Sequence, residues 1–167
     1  MNARKSTAAF LVQSAIIAAL YVVLTYVSAA FDLASGAIQV RISEGLTVMP
    51  FFTVAGIPGV TLGCFLANLL LGSPWPDVVF GTLATLIGAV GTYALRKNRF
   101  LCCLPPVISN AVIIPLVLRY AYGVSGSLLF LAATVGAGEV ISCVIFGQII
   151  ITALLPLRYR IFGEENK

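Results

Sequence analysis

From Ala8 to Ala30 the chain runs without a single charged side chain. Arg4 and Lys5 precede this run, and Ser28-Ala29-Ala30 resembles a cleavage site. A signal peptide has an apolar core of only about 7–15 residues, shorter than this run. A helix of about 20 apolar residues crosses a bilayer, so the segment reads as a retained transmembrane helix. The rest of the sequence is similar in character. It is 60% hydrophobic and 10% charged, with a mean hydropathy of +1.05, whereas a soluble domain carries about 25% charged residues. Its outside must be as apolar as its inside. Residues 1–167 therefore read as one all-α domain of an integral, multi-pass membrane protein.

Proline, glycine and charge divide the remainder. A single helix through Ala55-Gly56-Ile57-Pro58-Gly59 is implausible, because proline and glycine break or kink helices. Two short helices are expected there, at about 44–55 and 58–71. Ser73-Pro74-Trp75-Pro76-Asp77 is a turn before a helix at about 77–95. The charged loop Arg96-Lys97-Asn98-Arg99 precedes a helix at about 103–122. The turn Gly123–Ser127 leads to a last helix at about 127–156. Most basic residues fall at the N-terminus, in the 96–99 loop and in the C-terminal tail. The positive-inside rule makes all three cytoplasmic. Six helices with both termini cytoplasmic satisfy the parity, giving a compact six-helix bundle. The second helix is too short to span comfortably, and a short helix at membrane depth is tolerated where it lines a cavity.

Several function classes find no support. The basic residues form no face interleaved with aromatics, so nucleic acid is not an expected partner. Histidine is absent, and the four cysteines contain no C-x-x-C pair. No metal is expected, and the cysteines read as small packing residues. There is no G-x-x-x-x-G-K-[ST] loop for nucleotide phosphates and no Ser-His pair, so the chain is not expected to be an enzyme.

The informative residues are polar groups in an apolar solvent. Glu139 lies about 13 residues into the last helix, ~20 Å deep at 1.5 Å per residue. An acid at such a depth costs roughly 2.5–3.5 kcal/mol on insertion scales and usually faces a cavity or a partner. Three readings are open for Glu139. It pairs with Arg119, it is protonated and bonded to a neighbouring helix, or it binds a ligand beside Gly136 and Gly138. Asn68 and Asn110 are mid-helix amides, read either as interhelical glue or as walls of a polar pocket. Trp75 is an interfacial anchor or a stacking platform. Arg41 and Glu44, three residues apart, are a helix-start device with Ser43 as N-cap, or the lid and rim of an outward-facing pocket. On the first helix Ala15 and Ala19, with Ser14 and Ala18 beside them, form small-xxx-small pairs for close packing within the bundle or with another helix.

Ile38-Gln39-Val40-Arg41-Ile42-Ser43-Glu44-Gly45-Leu46 resembles the "IQxRISEAL" segment of QueT-type substrate-binding subunits of energy-coupling factor transporters. Gly45 stands where that segment has alanine. Asp77-Val78-Val79-Phe80-Gly81-Thr82-Leu83-Ala84-Thr85 resembles their "DxxFGTLAT" segment, and size and six-helix organisation are similar too. The resemblance implies a bacterial cell-membrane subunit that captures a queuosine-related 7-deazaguanine from outside. It would then dock on a transmembrane coupling subunit with two cytoplasmic ATPases. ATP would be used by those partners, with no cofactor in this chain. It also implies that Ala15 and Ala19 contact the coupling subunit. For such a ligand Glu139 would accept the ring N–H donors and Asn110 or Asn68 would donate to the ring oxygen. Asp77 or Asp32 would meet a cationic substituent, and Trp75 or Phe51 would stack on the base. The alternatives are a subunit of the same class for another vitamin, and a non-transporting assembly or regulatory subunit.

Overall fold

The structure, a computed structural model, describes residues 2–33 and 39–163, with side chains from Thr7 onward. The Arg4 and Lys5 side chains, Ile38 and Lys167 lie outside the described residues. Among the described residues every regular element is helical. Helix α1 (Asn2–Ala30) is followed by a 3-10 helix (Ile42–Phe51) and α2 (Gly56–Leu70). A π-helical turn (Asp77–Gly81) opens α3 (Thr82–Ala94), and a 3-10 turn (Leu101–Cys103) opens α4 (Leu104–Tyr120). The last rod comprises α5 (Leu128–Glu139), a π-helical segment (Val140–Phe146) and α6 (Gly147–Leu154). A 3-10 turn (Leu155–Leu157) then leads to the short α7 (Arg158–Phe162).

The count of six bundle elements agrees with the sequence. Four of them are long and apolar enough to cross a membrane, and Gly56–Leu70 is a shorter apolar helix. The side-chain distribution fits a lipid solvent. Leu11, Ile16, Val23, Ile108 and Ile149 point outward, while Ser28, Ser43, Thr47, Thr85, Thr92 and Ser142 are buried. Many small and hydroxylated residues join the apolar core, while many large aliphatic ones face out. A water-soluble fold has the opposite preference, and close helix contact through small residues is the usual membrane arrangement.

The second element differs from the expected α-helix at 44–55. It is a 3-10 helix, and Ser43 through Pro50 are all buried. It packs against α1, α2, α3, α6 and the π-helical segment, so it is the centre of the bundle rather than a peripheral half-span. At about 2.0 Å per residue against 1.5 Å for an α-helix, the tighter winding carries its ten residues about 20 Å. Pro50, which has no N–H to donate, sits in its last turn. Ser43 is not its N-cap. Arg41 holds that position with extended backbone, and no side chain caps the helix.

Within the bundle the described parts of the three basic regions gather at one end. The Gln13 amide bonds Thr53 and the Ile161 carbonyl, and Gln148 bonds the Arg99 carbonyl. The start of α1, the 96–99 loop and α7 therefore share one end. At the other end the Ile42 N–H donates to Ser28 Oγ at 2.9 Å and Asn68 Nδ2 donates to the Asp77 carbonyl at 3.4 Å.

Candidate functional site

The polar centre is built where α1, the 3-10 helix, α4 and the α5–π junction meet. Helix α1 can approach α2 closely because Gly59 and Gly63 face it. A Cβ on Gly63 would lie 2.6 Å from Tyr21 Cβ. This close seat drives Tyr21 into the interior, where it is 2% exposed. A buried phenol needs a partner, and its hydroxyl donates to Glu44 Oε1. Glu44 is itself 2% exposed, and its backbone carbonyl accepts from Thr47 Oγ1 at 2.6 Å.

Glu139 ends α5, where the backbone widens into π-helical winding. Such wide turns recur at functional sites. Cys143, one turn on, donates its thiol to Glu139 Oε2 at 3.2 Å. One carboxylate oxygen from Glu44, one from Glu139 and Cys143 Sγ all lie within 4.8 Å of one another. The Arg41 guanidinium is close enough to feel Tyr21, Glu44 and Glu139. Asn110, on α4, turns its amide towards both carboxylates.

Two polar atoms in this group stand out. Glu44 Oε2 and Asn110 Nδ2 are both buried, and among the described residues neither closes a well-formed hydrogen bond, although the amide lies near both carboxylates. One is an acceptor and the other a donor, and each costs roughly 1–3 kcal/mol while unpaired. Two acids against one guanidinium also leave the centre short of positive charge unless a proton or a cation joins it. The group can thus accept N–H donors at its carboxylates and donate at Asn110. Glu44, Glu139 and Cys143 are also the residues that could hold a metal ion. Sequence spacing gave no hint of that trio, because Glu44 and Cys143 are 99 positions apart.

The centre is roofed by the chain itself. Arg41 N–H donates to Ser142 Oγ at 3.1 Å, and Val40 N–H to the Leu33 carbonyl at 3.0 Å. The backbone of Gln39 lies so close to Gly138 that a Cβ there would fall 2.0 Å from the Gln39 oxygen. What approaches closely at Gly138 is therefore the returning segment Gln39–Arg41. Gly136 has no such neighbour, and its Cβ would meet Ala111 Cβ at an ordinary 3.7 Å. At Gly45 a methyl group would lie 3.1 Å from Phe146 Cβ and 3.3 Å from the Ser142 carbonyl. An alanine there needs the π-helical segment to give by a few tenths of an ångström.

The structure thus brings together Glu139, Glu44, Arg41 and Asn110, and adds Tyr21, Ser142 and Cys143. It does not bring in the other sequence candidates. Arg119 bonds the Val124 and Gly126 carbonyls at 3.5 and 3.2 Å, so it organises its own turn and is no partner of Glu139. Asn68 is occupied by Cys64 Sγ and the Asp77 carbonyl, which is the glue reading. The Asp77 carboxylate lies beside the phenol of Tyr122, and partial burial together with that carboxylate holds the phenol above its ordinary range. Trp75 is 69% exposed, held outside by the flanking prolines. Asp32 is exposed in the turn after α1. Phe51 sits edge-on to Phe52 and lines a cavity with Arg96 and Arg158 at the opposite end of the bundle. A second cavity, with Gln13 and Phe162, lies at that same end. On α1, Ser14 and Ala18 are buried, whereas Ala15 and Ala19 are exposed on the outer face.

A family model described as QueT transporter matches residues 11–156. A protein of Lactococcus lactis subsp. cremoris (strain MG1363), named queuosine precursor transporter QueT, is 42% identical over 84 residues. That stretch is 50% of this chain and 49% of the relative, so the chain matches about half the length of that protein. No solved structure matches the chain.

Proposed function

The chain belongs to the QueT transporter family, and from that premise we propose that it is the substrate-binding subunit of an energy-coupling factor importer for a queuosine-related 7-deazaguanine. A transporter rather than an enzyme is what the family description supports. The observation that carries the ligand assignment is the complementary pair of orphans, Glu44 Oε2 as acceptor and Asn110 Nδ2 as donor. A 7-deazaguanine offers N–H donors at N1 and N2 beside an acceptor at O6. The Glu44 and Glu139 carboxylates accept the two donors, and Asn110 donates to O6. A cationic substituent on the ring is balanced by the second acid, because Arg41 offsets only one.

Access is from the outer end, with both termini at the cytoplasmic face of the bacterial membrane. The segment Gln39–Arg41 lifts from Gly138 to admit the base and closes over it. Residues 1–167 contain no G-x-x-x-x-G-K-[ST] loop, so release inside is assigned to a coupling subunit and two ATPases docked on the Ala15–Ala19 face of α1.

Equilibrium binding of the purified chain to a panel of deazaguanines, guanine and vitamins tests the ligand. Nanomolar to micromolar binding confined to deazaguanines is expected, with Glu139→Gln weakening it by about 1–3 kcal/mol, the scale of a lost charged hydrogen bond. Binding of a vitamin instead, or none at all with Glu139→Leu tolerated, would overturn it. Uptake by vesicles holding this chain alone would overturn the ATPase dependence.

A further inference from the structure

At the end of the bundle away from the acids, a cavity of about 240 Å³ opens between the 96–99 loop, the foot of the 3-10 helix and α7. Arg96, Lys97 and Arg158 line it together with Phe51, Phe52 and Phe162, and among the described residues no acidic side chain lines it. Arg96 is held by cation–π contact, its guanidinium 3.9 Å over the Tyr93 ring. Its Nη1 is buried and has no hydrogen-bond partner among the described residues. Arg158 lies 4.4 Å over the Tyr159 ring and donates to the Tyr159 hydroxyl at 2.7 Å. Below them the Phe52 and Phe162 rings stack at 5.1 Å. The spans Asp77–Ala94 and Leu101–Tyr120 end on either side of this loop, which puts the cavity at the boundary between hydrocarbon and water.

Three cations around a hollow with an apolar floor have one natural kind of guest. A buried guanidinium N–H without an acceptor is costly, and an Arg fork matches phosphate oxygens two at a time. Basic pockets between transmembrane helices at the membrane surface take phospholipid head groups. We propose that this cavity binds the phosphate of an anionic phospholipid. Arg96 and Arg158 grip the phosphate, Lys97 adds charge, and Phe52 and Phe162 lie against the glycerol and first methylenes. The site is separate from the acid centre and does not depend on what that centre binds.

The test uses the full chain in nanodiscs, with lipid retention read by native mass spectrometry after extraction into detergent. Phosphatidylglycerol should be retained over phosphatidylcholine, and the preference should fall about fivefold for each cation removed in Arg96→Gln and Arg158→Gln. Arg160→Gln, at an exposed residue outside the cavity, should keep it. Arg96→Lys preserves charge but loses the fork, and should lower the preference severalfold at an unchanged melting temperature, which guards against a variant that merely fails to fold. Equal retention of both lipids overturns the proposal, as does an equal loss in Arg160→Gln or an unaffected Arg96→Lys. Two further results would do the same: displacement by millimolar inorganic phosphate with no lipid preference, and a preference seen only when Glu164 and Glu165 are both changed to Gln, which would give the cavity to the chain's own acidic end.

Discussion

The Tyr21 hydroxyl donates to Glu44 Oε1, tying the middle of α1 to the first turn of the 3-10 helix. The bond satisfies one carboxylate oxygen and leaves the other, near the Asn110 amide, with no well-formed hydrogen bond among the described residues. Positioning and availability are thus divided between two atoms of one side chain. Tyr21→Phe keeps the ring against Gly63 and removes only the donor. A hydrogen bond to a charged group contributes about 1.5–3 kcal/mol, so the variant should unfold earlier by an amount of that order. Thermal unfolding in one fixed detergent measures it, and a stability equal to wild type would show that the bond holds nothing in place.

Glu44 and Glu139 should act as a coupled pair. Their oxygens lie within 4.8 Å of each other, and groups in contact give non-additive effects. Glu44→Gln and Glu139→Gln should each weaken deazaguanine binding by about 1–3 kcal/mol, with the double variant departing from the sum by at least about 0.5 kcal/mol. Calorimetry on the four proteins decides. Strict additivity would mean that the two acids do not share one ligand. Added zinc or calcium that leaves the titration unchanged is the further expectation, since a metal held by Glu44, Glu139 and Cys143 would block or enhance it.

Asn110→Leu removes the orphan donor and leaves the ring oxygen of a bound base unpaired. The expected loss is about 1–3 kcal/mol in affinity, with little loss of stability, because Asn110 Nδ2 closes no well-formed hydrogen bond among the described residues. A variant that folds worse yet binds as well would reassign Asn110 to packing.

The glycines before Glu139 should separate cleanly. Gly138→Ala drives a methyl group into the Gln39 oxygen at 2.0 Å, whereas Gly136→Ala meets only Ala111 at 3.7 Å. Gly138→Ala should lift the returning segment, so that protease cleavage near residues 39–41 rises and ligand binding falls more than tenfold, the result of about 1.4 kcal/mol or more. Gly136→Ala should bind as wild type and gain slightly in helix propensity. Equal behaviour of the two would remove Gln39–Arg41 as the roof.

What the sequence made legible follows from range. The charge-free run of α1 and the proline–glycine punctuation are local, and they place six elements correctly. The depth of Glu139 is local too, as is its i,i+4 neighbour Cys143, which spacing on a helix face could have found. Tyr21, one of two tyrosines in α1, is a further signal, because a buried hydroxyl has to find a partner. Its bond to Glu44 joins residues 23 positions apart, and nothing local states which acid that partner is. Phe51, offered by the resemblance as a stacking partner, lies beside Arg96 and Arg158, the side where parity puts the end of the second helix. The 3-10 winding stayed hidden because its cause is burial from every side, which no window of ten residues displays.

The exposed alanines of α1 carry the last prediction. Helix α1 uses Ser14, Ile17, Ala18 and Tyr21 against its neighbours, while Ala15 and Ala19 face outward among Leu11, Ile16 and Val23. Small residues on a lipid-facing surface gain nothing from lipid, but they let another helix approach closely. Ala15→Leu and Ala19→Leu point into open space here, so folding and deazaguanine affinity should stay at wild-type values. A coupling helix that packs on this face would meet about three extra heavy atoms per leucine, and overpacking of a close contact costs about 1–3 kcal/mol. ATP-driven uptake in vesicles containing the coupling and ATPase subunits should therefore fall roughly five- to a hundredfold, with the complex lost in pull-down. Loss of ligand binding in these variants would place the face within the fold, and undiminished uptake would place the partner elsewhere on the bundle.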